Sequence, residues 1–118
     1  MKHFKISEFD SKCGNGPAQR YMDKTHLKMI DKARDLAGVP FHVNSGYRTP
    51  AHNKRVGAVS DSAHTRGMAS DIRAVGSRER YHIIRGMMQA GFNRIGIAKT
   101  FIHCDNDPSK DEKVIWFY

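Results

Sequence analysis

Two histidines and one aspartate in this chain have the residue types and the spacing of a metal-binding set. His64 and Asp71 are separated by seven positions, with Gly67 between them, and His103 follows 32 positions after Asp71. Two neutral imidazoles and one carboxylate form a common catalytic zinc set in which water takes the fourth position. The sequence therefore predicts one Zn²⁺ held by these three side chains, with a groove beside it.

The residues around His64 and Asp71 predict how the two side chains could meet. His64 follows a polar, turn-forming stretch and is expected on a loop, and Gly67 permits a backbone with positive φ. Residues 68–74 are expected to form a short strand that directs Asp71 to one face. Taken alone, a histidine and an aspartate at this spacing are more typical of a solvated loop histidine and a turn-capping carboxylate. The metal hypothesis therefore depends on the wider context.

Three blocks of the chain, in order, resemble one family. Residues 62–71 (SAHTRGMASD) are similar to the zinc signature of the D-Ala-D-Ala carboxypeptidase superfamily, which includes phage L-alanyl-D-glutamate endopeptidases and vancomycin-resistance D,D-dipeptidases. Residues 44–50 (NSGYRTP) and 91–105, which end in FIHCD, resemble the same family. The resemblance covers about residues 40–118, with a weaker match at 4–10, and the order and spacing fit small phage and prophage members.

The resemblance implies site residues and a substrate. Arg48 would lie beside the zinc and hold the substrate carbonyl and the developing oxyanion, a role that suits a permanently charged, fork-shaped guanidinium. Tyr47, in the same block, is expected to contact the substrate, and Ser62 resembles a position that contacts the substrate carboxylate. The implied substrate is the peptidoglycan stem peptide. The cleaved bond is D-Ala-D-Ala or L-Ala-D-Glu, and the sequence does not choose between them.

The general base departs from the family pattern. A zinc peptidase needs a group that takes a proton from water and passes it to the leaving amine. Several relatives place a glutamate three residues before the last histidine ligand, where this chain has Thr100. Asp105 shares a strand face with His103 and is the predicted base. The same position would also allow Asp105 to orient a ligand.

Periodicity and turn residues predict a single α+β domain. The expected architecture is a small, mainly antiparallel sheet with two to three helices, similar to the Hedgehog/DD-peptidase fold, with residues 1–21 as an irregular arm and 22–118 as the core. His26 is expected to be exposed on the first helix. The second long helix is expected to present an apolar face of Tyr81, Ile84, Met87 and Met88. Helices are predicted over 23–37, 50–56 and 77–90, and strands over 41–44, 68–74, 92–98, 101–105 and 114–118.

Composition limits the other function classes. No apolar run in the 118 residues approaches the roughly 20 that a membrane span needs, and the first residues have no signal-peptide pattern. We therefore expect a monomer that is made in the cytoplasm and reaches the cell wall after phage-mediated release or as a virion component. Two cysteines are too few for a disulfide framework. Cys104 is expected to be a small buried hydrophobe and Cys13 a loop residue.

The net charge of +8 favours anionic partners such as cell-envelope polymers or nucleic acid. The basic residues are spread along the chain, and no standard nucleic-acid-binding signature is present, so a specific nucleic-acid partner is not expected. Two alternatives to a peptidase stay open. One is a zinc-containing wall-binding or structural module with weak catalysis, as in the Hedgehog domains that share this fold. The other, which ranks lower, is a basic nucleic-acid-binding protein.

Overall fold

The computed structural model describes residues 1–12, 16–58 and 61–118, and Cys13 lies outside that part. Within it, the chain forms five strands and four α-helices, together with two short 3-10 helices, Ile6–Phe9 and Ala63–Arg66. None of these helices is long and apolar enough to cross a bilayer. The strands are β1 (Val43–Ser45), β2 (Ala69–Arg73), β3 (Arg94–Ile97), β4 (Phe101–Asp105) and β5 (Val114–Phe117), and the helices are α1 (Ala18–Tyr21), α2 (Lys24–Ala37), α3 (Pro50–Arg55) and α4 (Ser77–Gln89).

The strands form one sheet in the order β1-β2-β4-β3-β5. All pairs are antiparallel except β3 with β5, which is parallel. The predicted α+β class with a mainly antiparallel sheet is thus confirmed. A hairpin joins β3 and β4, closed by the hydrogen bond from the Ala98 amide to the Phe101 carbonyl at 3.0 Å.

One row of directly paired residues runs across this sheet. Asp71 on β2 pairs with His103 on β4, His103 pairs with Gly96 on β3, and Gly96 pairs with Trp116 on β5. Paired residues point to the same face, and their immediate neighbours point to the other. Ile72 and Ile102, the next pair along β2 and β4, are accordingly fully buried on the opposite face.

That opposite face is covered by α2 and α4. Helix α2 begins where the Asp23 side chain accepts a hydrogen bond from the His26 amide, and it ends at Gly38 with φ 70°, as predicted. Helix α4 differs in its phase from the expectation. Ile83, Gly86 and Met87 are its buried residues, whereas Tyr81 and Met88 are exposed. The spacing i, i+3, i+4 defines the buried stripe, so the predicted face was only partly right.

The described parts of the first 21 residues, 1–12 and 16–21, are not the irregular arm that the sequence predicted. The segment contains the first 3-10 helix and α1, and Phe4 and Phe9 are buried in the core cluster. The Phe4 ring meets the rings of Phe9 and Phe41, with centroids 5.2 and 6.4 Å apart. Burial of these two aromatic side chains explains why the segment is held against the body of the domain.

His26 is fully buried, and its predicted exposure is wrong. Its Nδ1 lies 2.8 Å from Asn106 Oδ1 and its Nε2 lies 2.7 Å from Ser70 Oγ, so both ring nitrogens have partners inside the protein. A serine hydroxyl can donate, and an amide oxygen only accepts, so this arrangement satisfies a neutral imidazole. Burial, more than any other influence, lowers the pKa of His26 to about 4.

The pKa of His26 predicts acid-dependent stability. The folded protein resists protonation at His26 until about pH 4, whereas the unfolded chain binds that proton near pH 6.5. Stability is therefore complete above pH 6.5 and falls towards pH 4, by about 3 kcal/mol from this group. We expect His26→Gln to remove this part of the pH dependence in urea unfolding followed between pH 4 and pH 7. His42→Gln, at an exposed histidine, is the control, and an unchanged slope in His26→Gln would contradict the assignment.

Candidate active site

Three elements deliver the predicted metal ligands to one place. Asp71 and His103 lie side by side on β2 and β4 because they are register partners. His64 comes from the 3-10 helix Ala63–Arg66, which begins where Ser62 Oγ accepts the His64 amide at 3.2 Å. Gly67 ends this turn with φ 68°, a conformation that favours glycine, so the chain reverses directly into β2. The loop histidine and strand aspartate therefore converge as predicted.

The three side chains form a close, buried group. His64 Nε2 lies 3.2 Å and His103 Nδ1 lies 2.8 Å from the same oxygen, Asp71 Oδ1. The candidate ligand atoms all lie within 4.8 Å of one another. The two imidazole rings meet edge to face, with centroids 5.2 Å apart. This compact set of two nitrogens and one carboxylate oxygen has the composition of a catalytic zinc site.

The far nitrogens of both rings are already used. His64 Nδ1 lies 2.7 Å from the Gly46 carbonyl, which can only accept, so this nitrogen carries the proton. His103 Nε2 lies 2.6 Å from Asp105 Oδ2 and donates to that carboxylate. In the neutral rings the near nitrogens then present lone pairs toward Asp71. Three acceptors facing one another repel unless a cation lies between them, so these residues fit a divalent metal ion.

The electrostatics of the group favour positive charge at its centre. Burial raises the pKa of Asp71, but the neighbouring His64 and His103 outweigh it and hold the pKa well below its usual range. Burial lowers the pKa of His103, but its hydrogen bonds to Asp105 and Asp71 outweigh burial and raise the pKa overall. Both pKa shifts have the same cause, which is the attraction between the His103 ring and the ionised carboxylates on either side of it.

Asp105 is placed behind His103. It is fully buried. Its Oδ2 accepts a hydrogen bond from His103 Nε2, the ring nitrogen far from Asp71, and its Oδ1 accepts a hydrogen bond from Arg94 Nε at 2.7 Å. Burial raises the pKa of the Asp105 carboxyl. The hydrogen bond from His103 and the charge of Arg94 outweigh burial and lower the pKa overall, so the group stays ionised. Both oxygens are committed to partners that fix their direction. The geometry therefore favours the orienting role that the sequence left open over the role of general base.

Arg48 lies directly beside the ligands, as the sequence predicted. It follows β1, and its Nη2 is 3.3 Å from Asp71 Oδ2. Its Nη1 donates to Asn53 Oδ1 at 3.2 Å, and its Nε donates to Ser45 Oγ at 3.1 Å. All three donor groups are thus engaged, which holds the guanidinium plane at the edge of the metal-ligand group.

A cavity of about 560 Å³ opens in front of the ligands. Arg48 and Ser62 line it, as expected of residues that contact substrate. Sequence reasoning missed an aromatic wall made of Phe101, Trp116 and Tyr118, in which the Phe101 and Tyr118 rings lie 5.3 Å apart. The two-residue spacing of Trp116 and Tyr118 on a strand was the available signal, since it puts both on one face.

Gly96 makes room for that wall. The Trp116 ring crosses β3 at Gly96 and approaches the His103 ring, with centroids 5.4 Å apart. A Cβ at position 96 would lie 2.7 Å from the Trp116 ring, closer than side chains pack. Glycine at this row position therefore lets the indole lie next to a metal ligand.

One expected site residue lies elsewhere. Tyr47 is buried and stacks on Tyr21, with ring centroids 4.8 Å apart, and it is not among the described residues that line the cavity. Its main chain is tied to Phe9 by a 2.8 Å hydrogen bond. Substrate contact by Tyr47 is thus not supported, because its ring packs between structural elements. Thr100 is exposed in the turn between β3 and β4.

The placement of Asp105 predicts a metal-binding phenotype. We expect Asp105→Asn to weaken metal affinity by roughly 10- to 100-fold, because the amide no longer holds His103 in the tautomer that directs Nδ1 inward. Competition with a chromophoric chelator measures the affinity. Glu112→Gln, an exposed acid that follows on the same loop, is the matched control. Wild-type affinity in Asp105→Asn, combined with lost turnover, would restore the general-base assignment.

Comparison with known proteins adds one finding. The family model described as Peptidase M15 matches residues 2–105, which include Arg48 and all three candidate metal ligands. The match ends at Asp105, so the loop after β4 and strand β5 lie beyond it. No curated protein matches the chain.

Proposed function

The chain belongs to the Peptidase M15 family of metallopeptidases, and we propose that it is a zinc-dependent hydrolase of the peptidoglycan stem peptide. The observation that carries the proposal is the convergence of His64, Asp71 and His103 on one point at the wall of a cavity. The three side chains come from separate parts of the sequence and are buried together.

Each residue of the proposed centre has a distinct task. Zn²⁺ held by the three ligands would supply Lewis-acid chemistry, polarising a peptide carbonyl and making water more acidic. His64 is kept in the ligating tautomer by the Gly46 carbonyl, and Asp105 does the same for His103. Trp116 covers one side of His103 and shields that ring from solvent.

Arg48 is the proposed stabiliser of negative charge on the carbonyl oxygen. Its guanidinium lines the cavity, and Ser45 and Asn53 fix its orientation before a substrate enters. A donor that is already oriented toward developing charge loses little by reorganisation, and such groups are among the largest contributors to catalysis. The permanent charge of arginine suits this task at any pH at which the protein is folded.

The bond cleaved and the biological setting are further parts of the proposal. The proposed bond is D-Ala-D-Ala or L-Ala-D-Glu, the two that the resemblance implies. Analysis of the released products distinguishes them. A phage lysis or virion-associated role is proposed from the order and spacing of the three sequence blocks, which resemble the small phage and prophage members.

The central test is the His64→Ala substitution. We expect wild-type protein to hold one zinc ion per chain and to release amino groups from purified peptidoglycan, and His64→Ala to lose both. Elemental analysis after purification without chelators gives the metal content, and a colorimetric amine assay gives the hydrolysis. His42→Ala, at an exposed histidine, is the control and should behave as wild type.

The outcomes separate the rival functions. Zinc without hydrolysis would support the wall-binding or structural module, a reading that Thr100 in place of a glutamate also favours. No metal in the wild-type protein would defeat the peptidase proposal. Steeply salt-dependent DNA binding that survives His64→Ala would then support the charge-driven alternative.

Arg48 provides a second test. We expect Arg48→Met to lower kcat by roughly 100-fold while zinc stays bound, because a group that acts on developing charge affects turnover more than loading. Arg55→Met, at an exposed arginine at the end of α3, controls for loss of charge alone. An unchanged kcat in Arg48→Met would remove Arg48 from the mechanism.

A further inference from the structure

Among the described residues that line the cavity, three carry a permanent or near-permanent positive charge: Arg48, Arg94 and Lys110. Two of them already have close partners. Arg48 is engaged with Asp71, as given above. Arg94 lies 2.7 Å from Asp105, donates to the Asp111 carbonyl, and places its guanidinium carbon 5.1 Å from the centre of the Trp116 ring. Both guanidinium groups are therefore already paired with residues of the site.

Lys110 is held much less tightly by its acidic partner. Its Nζ lies 3.4 Å from Asp61 Oδ2, and the Asp61 side chain is 73% exposed. The other Asp61 oxygen is 2.6 Å from Arg66, so that carboxylate is shared between two cations. Long ion pairs with a solvated carboxylate contribute little, and an incoming anion can replace them at small cost. The ammonium of Lys110 is therefore the cation in the described lining that can best accept a new partner.

The loop that carries Lys110 is fixed to the metal centre. Its anchor is Asp107, a buried acid whose amide donates to Asp105 Oδ1 at 3.2 Å. Asp107 Oδ1 accepts the Ser109 amide at 3.0 Å and the Ser109 hydroxyl at 2.7 Å, and Asp107 Oδ2 lies 3.1 Å from Arg66 Nε. The Lys110 amide closes the turn on the Asp107 carbonyl at 3.3 Å. Lys110 thus has a defined place relative to His103.

From these observations we infer that Lys110 binds a substrate carboxylate and makes the site selective for acidic over amidated peptides. The inference rests on the proposed peptidase function and names the substrate class more closely. A charged hydrogen bond between an ammonium and a carboxylate, partly shielded from water, discriminates against a neutral carboxamide, which offers the same shape without the charge. Lys110 lies beyond residues 2–105, the part of the chain that the family model covers.

A stem peptide with L-lysine at its third position offers two carboxylates of this chemistry, one on D-glutamate and one on the terminal D-alanine. The test therefore uses a set of four synthetic stem pentapeptides in which each of these carboxyl groups is either free or amidated. kcat/KM for hydrolysis and the dissociation constant from calorimetry are measured for each peptide with zinc-loaded protein. The variants are Lys110→Met, which removes the charge, Lys110→Arg, which keeps it, and Lys32→Met, which removes an exposed lysine on α2.

We expect wild type, Lys110→Arg and Lys32→Met to prefer one free carboxylate over its amide by about tenfold in kcat/KM and in affinity. Lys110→Met should lose that preference through a loss on the acidic peptide, with the amidated peptide unchanged. The carboxyl group at which the preference disappears identifies the source. A Lys110→Met preference equal to wild type, or equal losses on both peptides, would overturn the inference.

Calorimetry separates this inference from the proposed function. Peptides that bind with a Lys110-dependent carboxylate preference but are not hydrolysed would support the inference and defeat the peptidase assignment. Hydrolysis with a carboxylate preference that is the same in wild type and Lys110→Met would support the peptidase assignment and overturn the inference. Equal affinity of wild type for all four peptides, without hydrolysis, would overturn both.

Discussion

The candidate metal centre depends on the register between β2 and β4. Asp71 and His103 meet because they are direct partners in this antiparallel pair, and the adjacent pair, Ile72 with Ile102, is fully buried on the other face. A slip of one strand by one residue would turn one isoleucine to the cavity and one ligand into the core. The apolar core therefore specifies the register, and the register positions the ligands. Catalytic geometry and stability are set by the same strand pairing.

Burying two imidazoles and two carboxylates in so small a volume is costly unless each polar atom has a partner. Here the partners are supplied in a defined order outward from the centre. His64 donates a hydrogen bond to the Gly46 carbonyl, and His103 donates one to Asp105. Asp105 in turn accepts a hydrogen bond from Arg94. What stays unbalanced is the set of inward-facing lone pairs around Asp71. A bound cation balances that set, so the folded protein is prepared for a metal before the metal arrives.

Sequence reasoning succeeded where the signal is local and failed where it depends on the fold. The meeting of His64 with Asp71, the bounds of α2 and α3 to within one residue and the positive φ of Gly67 follow from short-range chemistry, and all were predicted. The burial of His26 could not be read in the same way, because its partners Ser70 and Asn106 are 44 and 80 positions away. The helix pattern alone cannot show that a polar residue meets two hydrogen-bonding groups in the core. The position of the Tyr47 ring could not be read locally either, since its stacking partner, Tyr21, belongs to α1.

The site also divides along the chain. Residues up to Asp105 supply the metal ligands, their supporting partners and Arg48, and this is the part that matches the family. The remainder supplies Trp116 from β5, Tyr118 directly after that strand and Lys110 from the preceding loop, all of which line the cavity. Strand β5 joins the sheet in parallel with β3, a pairing that no local pattern predicts, and it brings Trp116 against His103 only because position 96 is glycine. The row from Asp71 to Trp116 therefore joins the part of the chain that matches the family to the part beyond it, and its register holds both at one cavity.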